Sequence, residues 1–147
     1  MTIVRDLLKT KGNQVWSISP YASVLATLKL LAEKEVGALL VVDEDKTVGI
    51  ISERDLVREF AKTETCLLDI EIQNYMTPGV ITVGPDATIE ECLQVMTKER
   101  IRHLPVIEND NLVGLISIGD VVKEIISTKE STIDHLENFI EGRGYGQ

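Results

Sequence analysis

The chain has 147 residues, with 24 Asp and Glu against 15 Lys and Arg, and a formal net charge of −9. A surface this acidic repels nucleic acid over most of its area, because nucleic-acid affinity rests on neutralising phosphates; a local basic pocket is still compatible with it. No run of about 18 apolar residues occurs, which argues against a membrane span, and without a signal-type apolar N-terminus or a prenylation motif the expected location is the cytoplasm.

Residues 1–14 read as a short lead-in, with Val4, Leu7 and Leu8 on one helical face. Residues 15–18 read as a strand that Pro20 ends. Residues 23–35 predict a helix with an apolar stripe of Val24, Leu28, Leu31 and Ala32, stopped by Gly37. Residues 38–42 are continuously apolar, as a strand buried on both faces must be. A polar turn at 43–46 leads to a strand at 48–51 and a helix at 53–62. The order then repeats: strand 80–83, helix 89–99, strand 104–107, turn 109–111, strand 113–116, helix 119–127. A separate short amphipathic helix is expected over 132–140, with Ile133, Leu136 and Ile140 on one side. His135 is expected on its solvated face, and the glycine-rich residues 142–147 are expected to be disordered.

The repetition has a fixed register. Val15, Pro20, Ala22, Leu28, Leu39, Val41, Asp45, Val48, Gly49, Ile51, Ser52, Asp55, Val57 and Glu59 each meet an identical residue 65 positions later. So many matches at one offset mean an internal duplication. The fold class is α/β, with two β-α-β-β-α repeats packed about a pseudo-twofold axis that leaves two equivalent clefts. Residues 1–64 form repeat 1 with its lead-in. Residues 65–128 form repeat 2 with its linker, whose Ile70, Ile72 and Met76 are expected to pack on the second copy. Residues 129–147 form a C-terminal helix and tail. Cys66 and Cys92 lack any CxxC or Cys/His spacing and read as reduced thiols, and no metal site is suggested.

Chemistry concentrates where GLISIGD turns from strand to helix. A helix start offers unpartnered N–H groups and a positive dipole end, which favour an anion. Ser117 adds a hydroxyl and Gly119 permits close approach. An ionised Asp120 accepts from the two hydroxyls of a ribose. Ser-x-x-Asp is also a capping box, and the Ser52/Asp55 pair has the same spacing, so capping accounts for both pairs equally well. Capping does not account for Arg100, Arg102 and His103, which precede the neighbouring strand as donors for phosphate. The first copy has Gly37-Ala38 there instead, and carries Arg54 and Arg58 at its helix start.

The runs RIRHLPVIE and GLISIGD, with VGALLVVDED and GIISERD in the first copy, resemble cystathionine-β-synthase (CBS) domains. The pair resembles a Bateman module, over about residues 1–128. The resemblance implies a regulatory module that binds AMP, ADP, ATP, NAD or S-adenosylmethionine and needs no catalytic cofactor. It implies that Asp120 holds the ribose, with Ser117, Ile118 and Gly119 lining the phosphate and Arg102 and His103 reaching it. The base would lie near Val36, Gly37, Lys11 and Asn13. The second cleft would use Ser52, Arg54 and Asp55, with Ile101 and Arg102 on the base and Met76 to Pro78 closing it. Such pairs associate as homodimers, for which Leu56, Val57, Val121, Val122 and Ile125 offer apolar helix faces. No GxSxG, P-loop, HExxH or GxGxxG occurs, so the expected role is not enzymatic. The alternatives are a dimerisation scaffold with empty clefts and a small phosphohydrolase using His103 with Asp120.

Overall fold

Residues that recur at the 65-residue offset build the same helices and β-hairpin twice in the computed structural model, which describes residues 2–140, without the side chains of residues 130–135 and 137–140. In chain order these are α1 (Val4–Lys11), β1 (Ser17–Ile18), α2 (Val24–Lys34), β2 (Ala38–Asp43), β3 (Lys46–Ser52) and α3 (Glu53–Thr63). After a 3₁₀ turn at Ile72–Asn74 come β4 (Thr77–Pro78), α4 (Ile89–Glu99), β5 (His103–Glu108), β6 (Asn111–Ser117) and α5 (Ile118–Ile140). They group into two compact units, Gln14–Ile81 and Met1–Asn13 with Thr82–Gln147. Among the described residues no helix is long and apolar enough to cross a membrane.

In the unit Gln14–Ile81, Ser23 caps α2 by accepting the Ala26 N–H at 3.0 Å. That cap satisfies one of the donors a helix start leaves open. The helix stops on Glu35 in the left-handed region (φ 53°), not at Gly37 as expected. The left-handed residue turns the Val36 N–H back to the Leu31 carbonyl at 3.2 Å, which closes the helix end. The sheet order is β1-β2-β3-β4, with β1 parallel to β2 and the other pairs antiparallel. Glu44 and Asp45 both take positive φ (48° and 66°), a type I′ turn that matches strand twist. Asn109 and Asp110 do the same (51° and 63°) in the other unit. The core of this unit is Val24, Leu31, Leu39, Val41, Ile51, Leu56 and Ile72. Burying each such side chain contributes about 1.5–3 kcal/mol.

In the unit of Met1–Asn13 with Thr82–Gln147, β5 and β6 pair antiparallel, and the core is built from Val4, Leu7, Ile89, Cys92, Met96, Leu104, Val106, Ile116 and Val121. Residues 80–83 do not form the expected strand. Only Val83 pairs, bridging parallel to Val106. In the first repeat the Leu40 N–H bonds the Trp16 carbonyl at 3.1 Å and extends that ladder. Pro105 stands at the place of Leu40 and has no N–H to give to Ile81. Helix α5 runs unbroken through the expected gap, since residues 128–131 contain neither Gly nor Pro. The expectations for residues 142–147 and for the side chains of Ile133, His135 and Ile140 fall outside the described residues.

The lead-ins pack the other way from the expectation. Ile72 is buried in the core of the first repeat, with Ile70 and Met76 packed against it, not on the second copy. Val4 and Leu7 of the chain start are buried in the core of the second. Backbone bonds fix both arrangements alike. Val4 donates to Ala87 O (2.9 Å) and Arg5 to Pro85 O (2.8 Å); Ile72 donates to Ala22 O (2.7 Å) and Gln73 to Pro20 O (3.1 Å). The sequence repeat and the packing unit therefore differ. Arg5 also anchors the start of the chain, bonding Glu108 at 2.8 Å and Asp86 at 3.3 Å. Leu56 and Val121, offered above for a dimer face, are fully buried in the two cores. Among the described residues, the exposed large apolar side chains of α3 and α5 are Val57, Val122, Ile126 and Leu136.

Candidate functional site

Each unit carries one strand-to-helix break with the same internal bonding. Where β6 passes into α5, the Ser117 N–H donates to Asp120 Oδ2 at 2.8 Å and the Asp120 N–H donates to Ser117 Oγ at 3.1 Å. The Ile118 N–H donates to Arg102 O at 2.8 Å. Where β3 passes into α3, the Ser52 N–H donates to Asp55 Oδ2 at 3.0 Å, the Asp55 N–H to Ser52 Oγ at 3.1 Å, and the Glu53 N–H to Gly37 O at 3.0 Å. Both Ser-x-x-Asp pairs thus form reciprocal capping boxes. From Ser117 to Asp120 the protein spends three of four N–H groups internally. The fourth belongs to Gly119, which is exposed.

Strand pairing brings the basic residues to this break. His103 lies directly opposite Ser117 in the β5–β6 register, and Arg102 precedes it, exposed. Directly opposed residues share one face of a sheet. Lys11, which the resemblance set in the same cleft near the base, bonds the carboxylate itself: its ammonium donates to Asp120 Oδ2 and to Leu115 O, both at 2.5 Å. Burial pushes the Asp120 carboxyl up. Hydrogen bonds from Lys11 and Ser117, and the Lys11 charge, outweigh it and hold the group below the ordinary carboxylate range.

Of the other predicted residues, Asn13 lines an open groove of about 370 Å³ with Arg5, Lys9 and Glu108. Val36 and Gly37 line another of about 450 Å³ with Leu28, Leu31 and Glu53. Neither groove is lined by Asp55 or Asp120. Ile101 packs partly on the core of its own unit. Arg54 is exposed on α3. Pro78 pairs with Gly49 in β4–β3. A Cβ on Gly49 would stand 2.8 Å from Met76 Sδ, so Met76 rests on that glycine. Within one unit the fold gathers Lys11, Arg102, His103, Ser117, Ile118, Gly119 and Asp120; within the other it gathers Gly37, Ser52 and Asp55. The assignments of Val36 and Gly37 to the Asp120 cleft, and of Ile101 and Arg102 to the Asp55 cleft, join residues of different units and belong to the proposal below. Among the described residues no group of three or more His, Cys, Asp or Glu is placed to hold a metal ion.

The CBS domain pattern matches residues 4–62 and 71–127. A signal-transduction protein with CBS domains from Burkholderia ambifaria MC40-6 has a similar structure, with a TM-score of 0.81 and 40% identity over 86% of this chain and 95% of that one. CBSX2, solved in complex with AMP, aligns with a TM-score of 0.68 and 27% identity over 88% and 99% of the two chains. The CBS domain pair of protein MJ0100, solved with 5′-methylthioadenosine and S-adenosyl-L-methionine, aligns with a TM-score of 0.71 and 25% identity over 87% and 98%. Two matched repeats spanning most of the chain, on a backbone shared with known pairs, establish that this chain belongs to the CBS domain family as a tandem pair.

Proposed function

We propose that the chain is a non-catalytic regulatory module that binds an adenine nucleotide, AMP foremost, and passes the ligand state to a partner protein. The observation that carries this reading is the duplicated strand-to-helix break with a carboxylate on the third helical residue: Asp55 in one unit, Asp120 in the other. Asp120 would take the ribose hydroxyls, with Ser117, Gly119, Arg102 and His103 toward the phosphate. Asp55, Ser52 and Arg54 would do the same in the first repeat. Val36, Gly37, Lys11 and Asn13 would lie near one base, and Ile101 and Arg102 against the other, with Met76 to Pro78 closing that cleft. The AMP bound by CBSX2 and the adenosine thioethers bound by the MJ0100 pair support this ligand class. ADP, ATP and NAD share the adenosine part and belong to the same class.

The chain is further proposed to act as a homodimer. Val57 and Val122 occupy equivalent positions of the two repeats and are 66% and 41% exposed, which gives α3 and α5 matching apolar faces. A second reading, a dimerisation scaffold without ligand, is favoured by the capping boxes being complete without one.

Thermal unfolding with AMP, ADP, ATP, NAD and S-adenosylmethionine separates the readings. A ligand specific to the folded state adds about 2.7 kcal/mol at a hundredfold excess over its Kd. The nucleotide reading expects a rise that Asp55→Ala or Asp120→Ala reduces. No rise with any ligand leaves the scaffold.

A further inference from the structure

Asp120 already has an occupant. Lys11 Nζ and the Ser117 N–H share its Oδ2, at 2.5 and 2.8 Å. The Lys11 and Asp120 side chains are 32% and 25% exposed, so the pair is partly shielded from water. A ribose offers two O–H donors and seeks the same lone pairs. A sugar that takes them displaces the ammonium.

The first repeat has no equivalent strap. Val4 and Arg5 bond Ala87 O and Pro85 O; Ile72 and Gln73 bond Ala22 O and Pro20 O. The acceptors are 65 residues apart, but the donors are 68 apart. The side-chain contacts agree: Leu8 fills the space over Gly114 as Met76 fills the space over Gly49. Counted at that offset, Lys11 corresponds to Gly79, which has no side chain and takes φ +64°. The lead-in therefore supplies a cation to the Asp120 locus and none to the Asp55 locus.

We infer that Lys11 is a specificity-determining residue, which reserves the Asp120 locus for adenosine ligands bearing a negative group. This rests on the nucleotide reading above. An uncharged nucleoside that displaces Lys11 leaves a part-buried ammonium without its partner, which opposes binding. A ligand with a phosphate gives the released ammonium a new anion at the same helix start. The cation thus penalises adenosine and spares AMP.

The test is calorimetric titration of adenosine and AMP into Asp55→Ala, which isolates the Asp120 locus, and into Asp55→Ala/Lys11→Met. Circular dichroism verifies folding. The parent is expected to prefer AMP. Lys11→Met is expected to tighten adenosine about tenfold, the factor that ~1.4 kcal/mol produces, and to narrow the AMP preference. Lys11→Arg in the same background is expected to keep that preference. Adenosine binding that is unchanged or weaker in Lys11→Met, or a preference lost equally in Lys11→Arg, overturns the role of Lys11 alone. A wild-type protein that binds neither ligand overturns the nucleotide reading, and this inference with it.

Discussion

Gly114 lies so close to Leu8 that a Cβ on it would stand 2.7 Å from Leu8 Cδ2. Gly49 is confined in the same way by Met76 Sδ and by the Thr77 carbonyl oxygen, each 2.8 Å from its Cβ position. Both glycines of the repeat exist to admit a lead-in. Gly49→Ala meets backbone, which cannot rotate aside, whereas Gly114→Ala meets the end of a flexible side chain. Overpacking costs about 1–3 kcal/mol. Urea unfolding is expected to place Gly49→Ala toward the upper end and Gly114→Ala toward the lower. A larger loss for Gly114→Ala would refute the ranking.

The two capping boxes have matching geometry. Ser52→Ala and Ser117→Ala each remove the acceptor for an Asp N–H. Each loses about 1 kcal/mol of stability by chemical denaturation. A neutral result for either would mean that its hydroxyl caps nothing in solution.

Asp120 makes stability pH-dependent, with a definite sign. Its folded pKa is lowered, so it binds a proton less readily folded than unfolded. The stabilisation is complete above the unfolded carboxylate value of about 3.9 and is lost as pH falls through the lower folded value. Lys11→Met removes the largest group holding that value down. The stability difference between wild type and Lys11→Met is therefore expected to be larger at pH 6 than at pH 2.5, read from urea midpoints. A difference that grows toward acid contradicts the ion pair.

The two thiols differ sharply. Cys92 is buried on α4, and burial, with the charges of Glu91 and Glu90, pushes its pKa up to about 11. Cys66 is exposed. Thiolate is the reactive form. Titration of the native protein with an aromatic disulfide at pH 8 should show one fast thiol, which Cys66→Ser abolishes. Two fast thiols would show that the α4 core opens readily.

Much of the fold was legible from residue type at fixed spacing. Ser52 and Asp55, like Ser117 and Asp120, are three residues apart at a strand end, and the capping box is a local interaction that such spacing specifies. Residues 38–42 announced a strand buried on both faces by their unbroken apolar run. The 65-residue register foretold the same helices and hairpins twice, with polar turns at 43–46 and 109–111; their I′ conformation came from the structure. Pro105 carried the signal that residues 80–83 form only one bridge, since it replaces the N–H donor of Leu40, but its meaning depends on which neighbour β5 acquires.

The duplicated strand-to-helix break, its carboxylates and the family that they indicate were determined by the sequence itself, because they rest on local spacing and exact repetition. Only the tertiary structure decided that residues 1–13 serve the second repeat and residues 68–78 the first. Periodicity shows which face of a segment is apolar, and Gly49 and Gly114 offer the same missing side chain to either lead-in. Only chain connectivity and packing choose between two equivalent surfaces. That choice carries Lys11 across more than a hundred residues of sequence to Asp120, a contact between two exposed-looking polar residues that no local pattern marks.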